Sequence, residues 1–233
     1  MPRRALAPES PDPDIARLAG VLADATRVAM LDVLLDGDAH PIGTLARRAG
    51  VSAPTASSHL AKLEDARMVV VDRVGRERRV RLAGPDVAHV LEQLAALAAP
   101  ARTHTPYTRR RADELRFART CYDHLAGVLG VVVTTALVDR GWLRAGDLAP
   151  APALVDWLAE HGHTIDSSHR PIARVCLDWS ERVPHLAGAT GAAVASVFVA
   201  ERWVARVRDG RALRITARGR DALSDELGLT LPR

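Results

Sequence analysis

Two short stretches carry the same reactive residue types. "ARTCYDH" puts Cys121, Asp123 and His124 close together, and "ARVCLDWSERVPH" puts Cys176 and Asp178 ahead of His185. Thiolate and imidazole together are good donors for a borderline metal ion such as zinc, and two thiolates can instead act as a redox pair. A third stretch, "GVSAPTASSHLAKLEDARMV" over residues 50–69, arranges Ser52, Pro54, Thr55, Ser57, Ser58, His59 and Lys62 around an apolar stripe of Leu60, Leu63 and Met68. Short hydroxyls and a cation on a helix suit close approach to phosphates and base edges. Each pattern has a plainer reading. A helical cysteine is most often a small buried hydrophobe, a helix-start histidine a cap or the partner of Asp123 or Asp178, and a polar helix face a solvated one.

Apolar spacing supplies the elements that would hold these residues. Ile15, Leu18, Val21 and Leu22 repeat at helical intervals, as do Val28, Leu31, Leu34 and Leu35 after Asp24. Gly37 and Pro41 break the pattern, and a short helix over residues 42–49 ends at Gly50. Ser52 is a good N-cap, and Pro54 is tolerated in a first turn, so the next helix runs to about residue 66. "MVVVDRVGRERRVRL" then reads as a hairpin around Gly75. Five arginines fall within residues 73–81, among them Arg73, Arg76 and Arg78. Residues 86–98 form another helix with Val87, Val90, Leu91, Leu94 and Leu97 as its stripe. A short helix, a glycine turn and a second helix make a helix-turn-helix whose second helix enters the major groove, with the arginine hairpin as a wing.

The totals limit the alternatives. The chain has 233 residues, 48% of them hydrophobic and only 3% aromatic, so Leu, Val and Ala must fill the core of two domains. Net charge is +4, and Lys62 is the single lysine among 32 basic residues. No run of about 18 apolar residues argues for a membrane span. Residues 1–14 lack an apolar signal segment and read as a disordered leader, and two cysteines without an export signal point to a cytoplasmic protein with free thiols.

Residues 100–111 are a linker by composition, separating residues 15–99 from residues 112–233. The second half contains an internal repeat, residues 118–142 and 173–203, each with Cys, then Asp two residues on, then His opening a Leu-Ala-Gly-x-x-Gly run. Cys121 and His124 are expected on one helix face, and Pro184 to start a helix at His185. If a pseudo-twofold axis relates the copies, Cys121, His124, Cys176 and His185 converge as a metal or thiol-sensing set. A small-molecule pocket lined by Trp142, Trp157, Trp179 and Trp203, or plain structure, stays open beside that reading. Val204 to Ile215 is a hairpin with its turn at Asp209 and Gly210, and Thr216 caps a last helix. The fold class is therefore mainly α with small β-hairpin wings: a winged helix-turn-helix, then an α-rich half with a duplicated helical unit and a second winged-helix-like hairpin.

"LADATRVAMLDVLL", "IGTLARRAGVSAPTASSHLAKLEDARMV" and "DRVGRERRVRL" resemble the ArsR/SmtB family of winged-helix repressors, with Ser-x-Pro-Thr-x-Ser-x-His-Leu at residues 52–60 as its recognition-helix signature. The resemblance covers roughly a third of the chain. It implies a homodimer joined largely through terminal helices and bound to palindromic double-stranded operator DNA. Residues 112–233 are not part of the ordinary small family member and are expected to sense an effector (small molecule, metal or oxidant). With no long apolar run and no motif that gives a reaction class, no membrane partner and no enzyme are expected. The rival from another class is an enzyme with Cys121 or Cys176 as nucleophile and His124 or His185 as base. The family's Cys-x-Cys metal pair is missing from "IGTLARRAG", and Asp86 and His89 lack the partners of its last-helix site.

Overall fold

The computed structural model describes residues 13–75, 77–98, 106–207 and 210–230. Two hydrophobic cores organise it. The first contains Met30, Leu31, Leu34, Leu45, Leu60, Leu63, Val80 and Leu82; the second is larger and contains Leu129, Leu137, Leu154, Trp157, Phe198, Trp203 and Leu223.

Helices α1 (Ile15–Leu22), α2 (Ala25–Leu34), α3 (Ile42–Ala49) and α4 (Ala53–Asp65) surround the first core. Asp24 caps α2 by accepting from the Arg27 amide at 3.0 Å, and Ser52 caps α4 by accepting from the Thr55 amide at 3.3 Å. Gly50 takes the left-handed conformation, φ 68°, that ends α3 and turns the chain into α4. Strands β1 (His40–Pro41), β2 (Val69–Val74) and β3 (Glu77–Leu82) form an antiparallel sheet in the order β1-β3-β2. Helix α5 (Pro85–Leu97) follows. Its expected stripe is split: Val87 and Leu91 pack half-buried against the first core, Val90, Leu94 and Leu97 are exposed, and the fully buried positions are Ala88, Glu92 and Ala96. Val28 of α2 is likewise exposed, and Met30 and Arg27 take buried positions instead.

The stretch expected to be linker through residue 111 is already helical from Pro106, in α6 (Pro106–Phe117). Of the expected disordered leader, residues 1–14, the first twelve lie outside the described residues, as do Arg76 and the expected turn residue Asp209, while Asp14 caps α1 by accepting from the Arg17 amide at 2.8 Å.

Two hairpin–helix units occupy the second half. In the first, β4 (Arg119–Cys121) pairs with β5 (His124–Ala126) and leads into α7 (Gly127–Asp139). In the second, β6 (Arg174–Leu177) pairs with β7 (Pro184–Ala187) and leads into α9 (Gly188–Ala200). Between them lies α8 (Pro152–Glu160). A hairpin of β8 (Val204–Arg206) and β9 (Leu213–Ile215) and helix α10 (Ala217–Leu227), capped by Thr216, complete the fold. The repeated unit is thus strand–turn–strand–helix. Cys121 and His124 do not share a helix face, and His185 lies in a strand rather than at a helix start. Both expectations fail because strands of three or four residues show too little alternation to outweigh a helical reading.

The units cross. Helix α7 packs on β7 and α9 on β5, and the Leu186 amide donates to Thr134 Oγ1 of α7 at 2.9 Å. The second glycine of each Gly-x-x-Gly lets its helix run close against the strand of its own unit, and at Gly191 the missing Cβ also leaves room for His124 Cβ of the other unit, 3.2 Å from where it would stand. A Cβ on Gly130 would lie 2.4 Å from the Leu125 carbonyl oxygen, and one on Gly191 would lie 2.8 Å from that of Leu186. Alanine at Gly130 should therefore cost about 1–3 kcal/mol by overpacking, despite gaining about 1 kcal/mol of helix propensity. Gly20→Ala in α1, where a Cβ meets nothing within 4 Å, should be neutral or stabilising. Thermal melts of the two variants check the contrast; equal midpoints would contradict the packing argument.

Candidate functional site

Helix α4 shows two faces. Ala56, Leu60 and Leu63 are buried, while Ser52, Pro54, Thr55, Ser57, Ser58 and Lys62 are exposed. The outer hydroxyls are partly engaged: Ser57 donates to the Ala53 carbonyl at 3.0 Å, and Ser52 and Thr55 share a hydrogen bond of 2.8 Å. His59 is set apart from this face. It is half-buried, with Nδ1 3.5 Å from an Asp24 carboxylate oxygen, and so anchors α4 to the start of α2.

In the β2–β3 hairpin Arg73 lies directly across from Arg78. Like charges facing each other across a ladder are unfavourable. Two further wing arginines are neutralised, Arg79 by Glu77 at 2.9 Å and Arg81 by Asp72 at 2.8 Å. Arg73 and Arg78 are exposed and take no ion pair among the described residues. The wing tip therefore presents paired positive charge whose repulsion an external anion would relieve.

The second cluster lies where the two hairpin–helix units meet. Each hairpin sets its cysteine opposite its histidine, Cys121 across from His124 and Cys176 across from His185. The crossing brings the pairs together: one donor atom from each of the four side chains lies within 4.8 Å of the others, and all four residues are buried. The imidazole centroids are 5.2 Å apart. His124 Nδ1 is 3.4 Å from an Asp123 carboxylate oxygen, and Asp123 is also paired with Arg170. His124 Nε2 and both nitrogens of His185 are buried without a hydrogen-bond partner among the described residues.

Electrostatics follow from that burial. Desolvation opposes charge on His124, but Asp123 and the neighbouring Cys176 sulfur outweigh it and raise its pKa to about 9. The thiols behave as a pair. Burial pushes Cys121 well up, whereas Cys121 and the adjoining imidazoles pull Cys176 down.

A fully buried ion pair, missed by the sequence reading, supports the cluster. Asp178 accepts from Arg119 at 2.9 Å, the Gly127 amide at 2.7 Å and the Ser180 hydroxyl at 2.7 Å. Desolvation is more than offset by these partners, so its carboxyl is held far below the usual range. The repeated Asp two residues after each Cys was the available signal, but nothing in the sequence pairs it with Arg119. Two of the four tryptophans line clefts, Trp203 one of about 500 Å³ and Trp179 one of about 590 Å³. Trp142, Trp157 and Trp203 pack against one another with centroids about 6 Å apart, and Trp179 lies under the Arg119 guanidinium at 4.3 Å. Asp86 pairs with Arg174 at 2.9 Å.

A helix-turn-helix domain family matches residues 22–72. An uncharacterized HTH-type transcriptional regulator, YdfF of Bacillus subtilis, is 39% identical over 225 residues, which is 94% of this chain and the whole of that protein. The chain belongs to the ArsR-like winged-helix transcriptional regulators. The regulator CmtR of Mycobacterium tuberculosis is 37% identical over 98 residues, 42% of this chain and 82% of that one. Its solved structure, described as a cadmium metal-sensor, covers 40% of this chain and 95% of its own with a TM-score of 0.32. A homodimeric winged helix-turn-helix fragment of Mb0332 from Mycobacterium bovis is 25% identical, covering 42% of this chain and all of that fragment with a TM-score of 0.34. The regulator is DNA-binding, with a winged helix-turn-helix, and no helix among its described residues is long and apolar enough to cross a membrane.

Proposed function

We propose that the protein is a homodimeric transcriptional repressor that binds a palindromic operator through residues 15–99 and responds to an effector sensed in residues 112–233. The facing, unneutralised Arg73 and Arg78 beside the exposed hydroxyls of α4 carry the reading. Ser57, Ser58 and Thr55 would meet base edges in the major groove, Lys62 a phosphate, and the wing arginines, including Arg76, the adjoining backbone.

Outward apolar surface supports the dimer. Helix α1 buries none of its residues, Ile15 is 73% exposed, and on α5 Leu97 is 82% exposed. Terminal helices with such faces suit a second copy, which would set two recognition helices about one turn of DNA apart, ~34 Å. The rival cysteine-nucleophile reading gains little, since both thiols are buried and the relatives are named as regulators.

Binding to fragments of the protein's own promoter region, followed by anisotropy over a salt series, tests the proposal. Lys62→Ala, Arg73→Ala and Arg78→Ala should each weaken binding on every sequence and reduce the salt slope by about 1. Ser58→Ala should change sequence preference and leave the slope alone. No preference for promoter over scrambled duplex would overturn the reading.

A further inference from the structure

We propose that Cys121, His124, Cys176 and His185 bind one zinc-like divalent cation in a tetrahedral two-sulfur, two-nitrogen site, and that its occupancy is the signal the regulator reads. This deepens the reading above by naming the class of effector.

Donor chemistry comes first. Two thiolates and two imidazoles are a closed ligand set for such an ion. Arms of roughly 2.0–2.3 Å give tetrahedral edges of about 3.3–3.8 Å, so donor atoms already within 4.8 Å of one another need only small side-chain rotations. Binding sends to solvent whatever protons the two sulfurs still carry, together with the one on the ligating nitrogen of His124 where that ring is protonated, as the metal–ligand bonds form.

Unsatisfied nitrogens decide between the alternatives. Buried polar groups without partners are costly, and here three imidazole nitrogens lack one. A Cys121–Cys176 disulfide would leave all three as they are, whereas a cation takes one from each ring. Asp123, 3.4 Å from His124 Nδ1, orients that ring and leaves Nε2 for the ion, while Asp178 lies 3.8 Å from His185 Nδ1, beyond hydrogen-bond distance.

Space and access agree. A cavity of about 30 Å³, lined by Cys121, Tyr122, Asp123, His124 and Arg170, reaches the cluster. That volume takes an ion with a water and is too small at this place for an organic effector, which needs roughly 300 Å³ or more. Clefts of about 500 Å³ beside Trp203 and about 590 Å³ beside Trp179 are lined by none of the four donors.

The site also touches the DNA-binding half. The residue after Cys121 donates its amide to the Leu35 carbonyl at the end of α2, at 2.8 Å. Gly37 lies so near that turn that a Cβ there would stand 2.6 Å from the Tyr122 carbonyl oxygen. A rotation at Cys121 is thereby passed to the helix on which α3 and α4 rest.

Cobalt(II) titration of the reduced, metal-free full-length protein tests the proposal, with zinc displacement as the competition step. The expected result is one equivalent per chain, an intense tetrahedral visible spectrum with a sulfur-to-cobalt charge-transfer band, and loss of both in Cys176→Ser. Asp123→Asn, which leaves the four donors in place, should weaken affinity about 10–100-fold. Promoter binding, measured with and without zinc on the same samples, should change by about 5-fold or more. A weak octahedral spectrum, or a tetrahedral one that Cys121→Ser and Cys176→Ser both retain, would overturn the site. Tight binding with unchanged promoter affinity would overturn its role as signal. A tetrahedral site in a protein with no promoter preference in either state would sink the repressor reading alone.

Discussion

Asp178→Ala should destabilise the C-terminal half by about 3–5 kcal/mol, the loss expected when one partner of a buried ion pair is removed. Asp178 and Arg119 are both 0% exposed. Without the carboxylate, Arg119 keeps hydrogen bonds to the Leu115 carbonyl and Ser180 at 3.1 Å, and its stack on Trp179, but no counter-charge. The Gly127 and Glu181 amides lose an acceptor as well. Asp178→Asn keeps the shape and part of the hydrogen bonding and should cost less. Tryptophan fluorescence is the suitable probe, because Trp142, Trp157 and Trp203 pack in this core. A change in unfolding free energy below about 1 kcal/mol for the alanine variant would show that the pair is not needed.

Arg211→Met should have a comparable effect, felt at the junction of the two cores. Arg211 lies just before β9, and its guanidinium pairs with Glu92 of α5 and with Asp32 of α2 at 3.3 Å. Glu92 is only 1% exposed, so the methionine variant strands a buried carboxylate at a cost of about 3–5 kcal/mol. Glu92→Leu in the Arg211→Met background should recover most of it, since an apolar pair of similar volume avoids the desolvation penalty of both charges. Hydrogen exchange of α5 and of β9 should speed up in the single variant and slow again in the double. Unchanged exchange in Arg211→Met would mean that other contacts hold the halves together.

Local signals explain how much could be read in advance. Helices α2 to α4 and the wing were legible because each boundary is marked: Asp24 and Ser52 as caps, Gly50 as a left-handed stop, Gly75 at the hairpin turn. The exposure of Val90, Leu94 and Leu97 on α5 was not, because periodicity finds an apolar face without saying how much of it is covered. Glu92, on the opposite face, is buried by a partner more than a hundred residues away. The β4–β5 hairpin was hidden for another reason. Its turn has no glycine or asparagine, and Tyr122 takes φ 64°, a conformation rare for a bulky side chain. Cys-x-x-His fits a two-residue hairpin as well as a helix face, so spacing alone could not choose. The convergence of the four donors rested on the repeat rather than on local conformation, which is why it could be anticipated although the secondary structure of each copy was misread.

The crossing of the two hairpin–helix units has a consequence for the chain's architecture. Each unit contributes half of the sulfur–nitrogen quartet, and each helix is seated on the neighbouring unit's ribbon. A polypeptide with one unit would own half a quartet and an uncovered helix, and could complete both only by embracing a sibling. Tandem duplication thus internalises what would otherwise be a contact between subunits, leaving the outer surfaces of α1 and α5 available for self-association of a different kind.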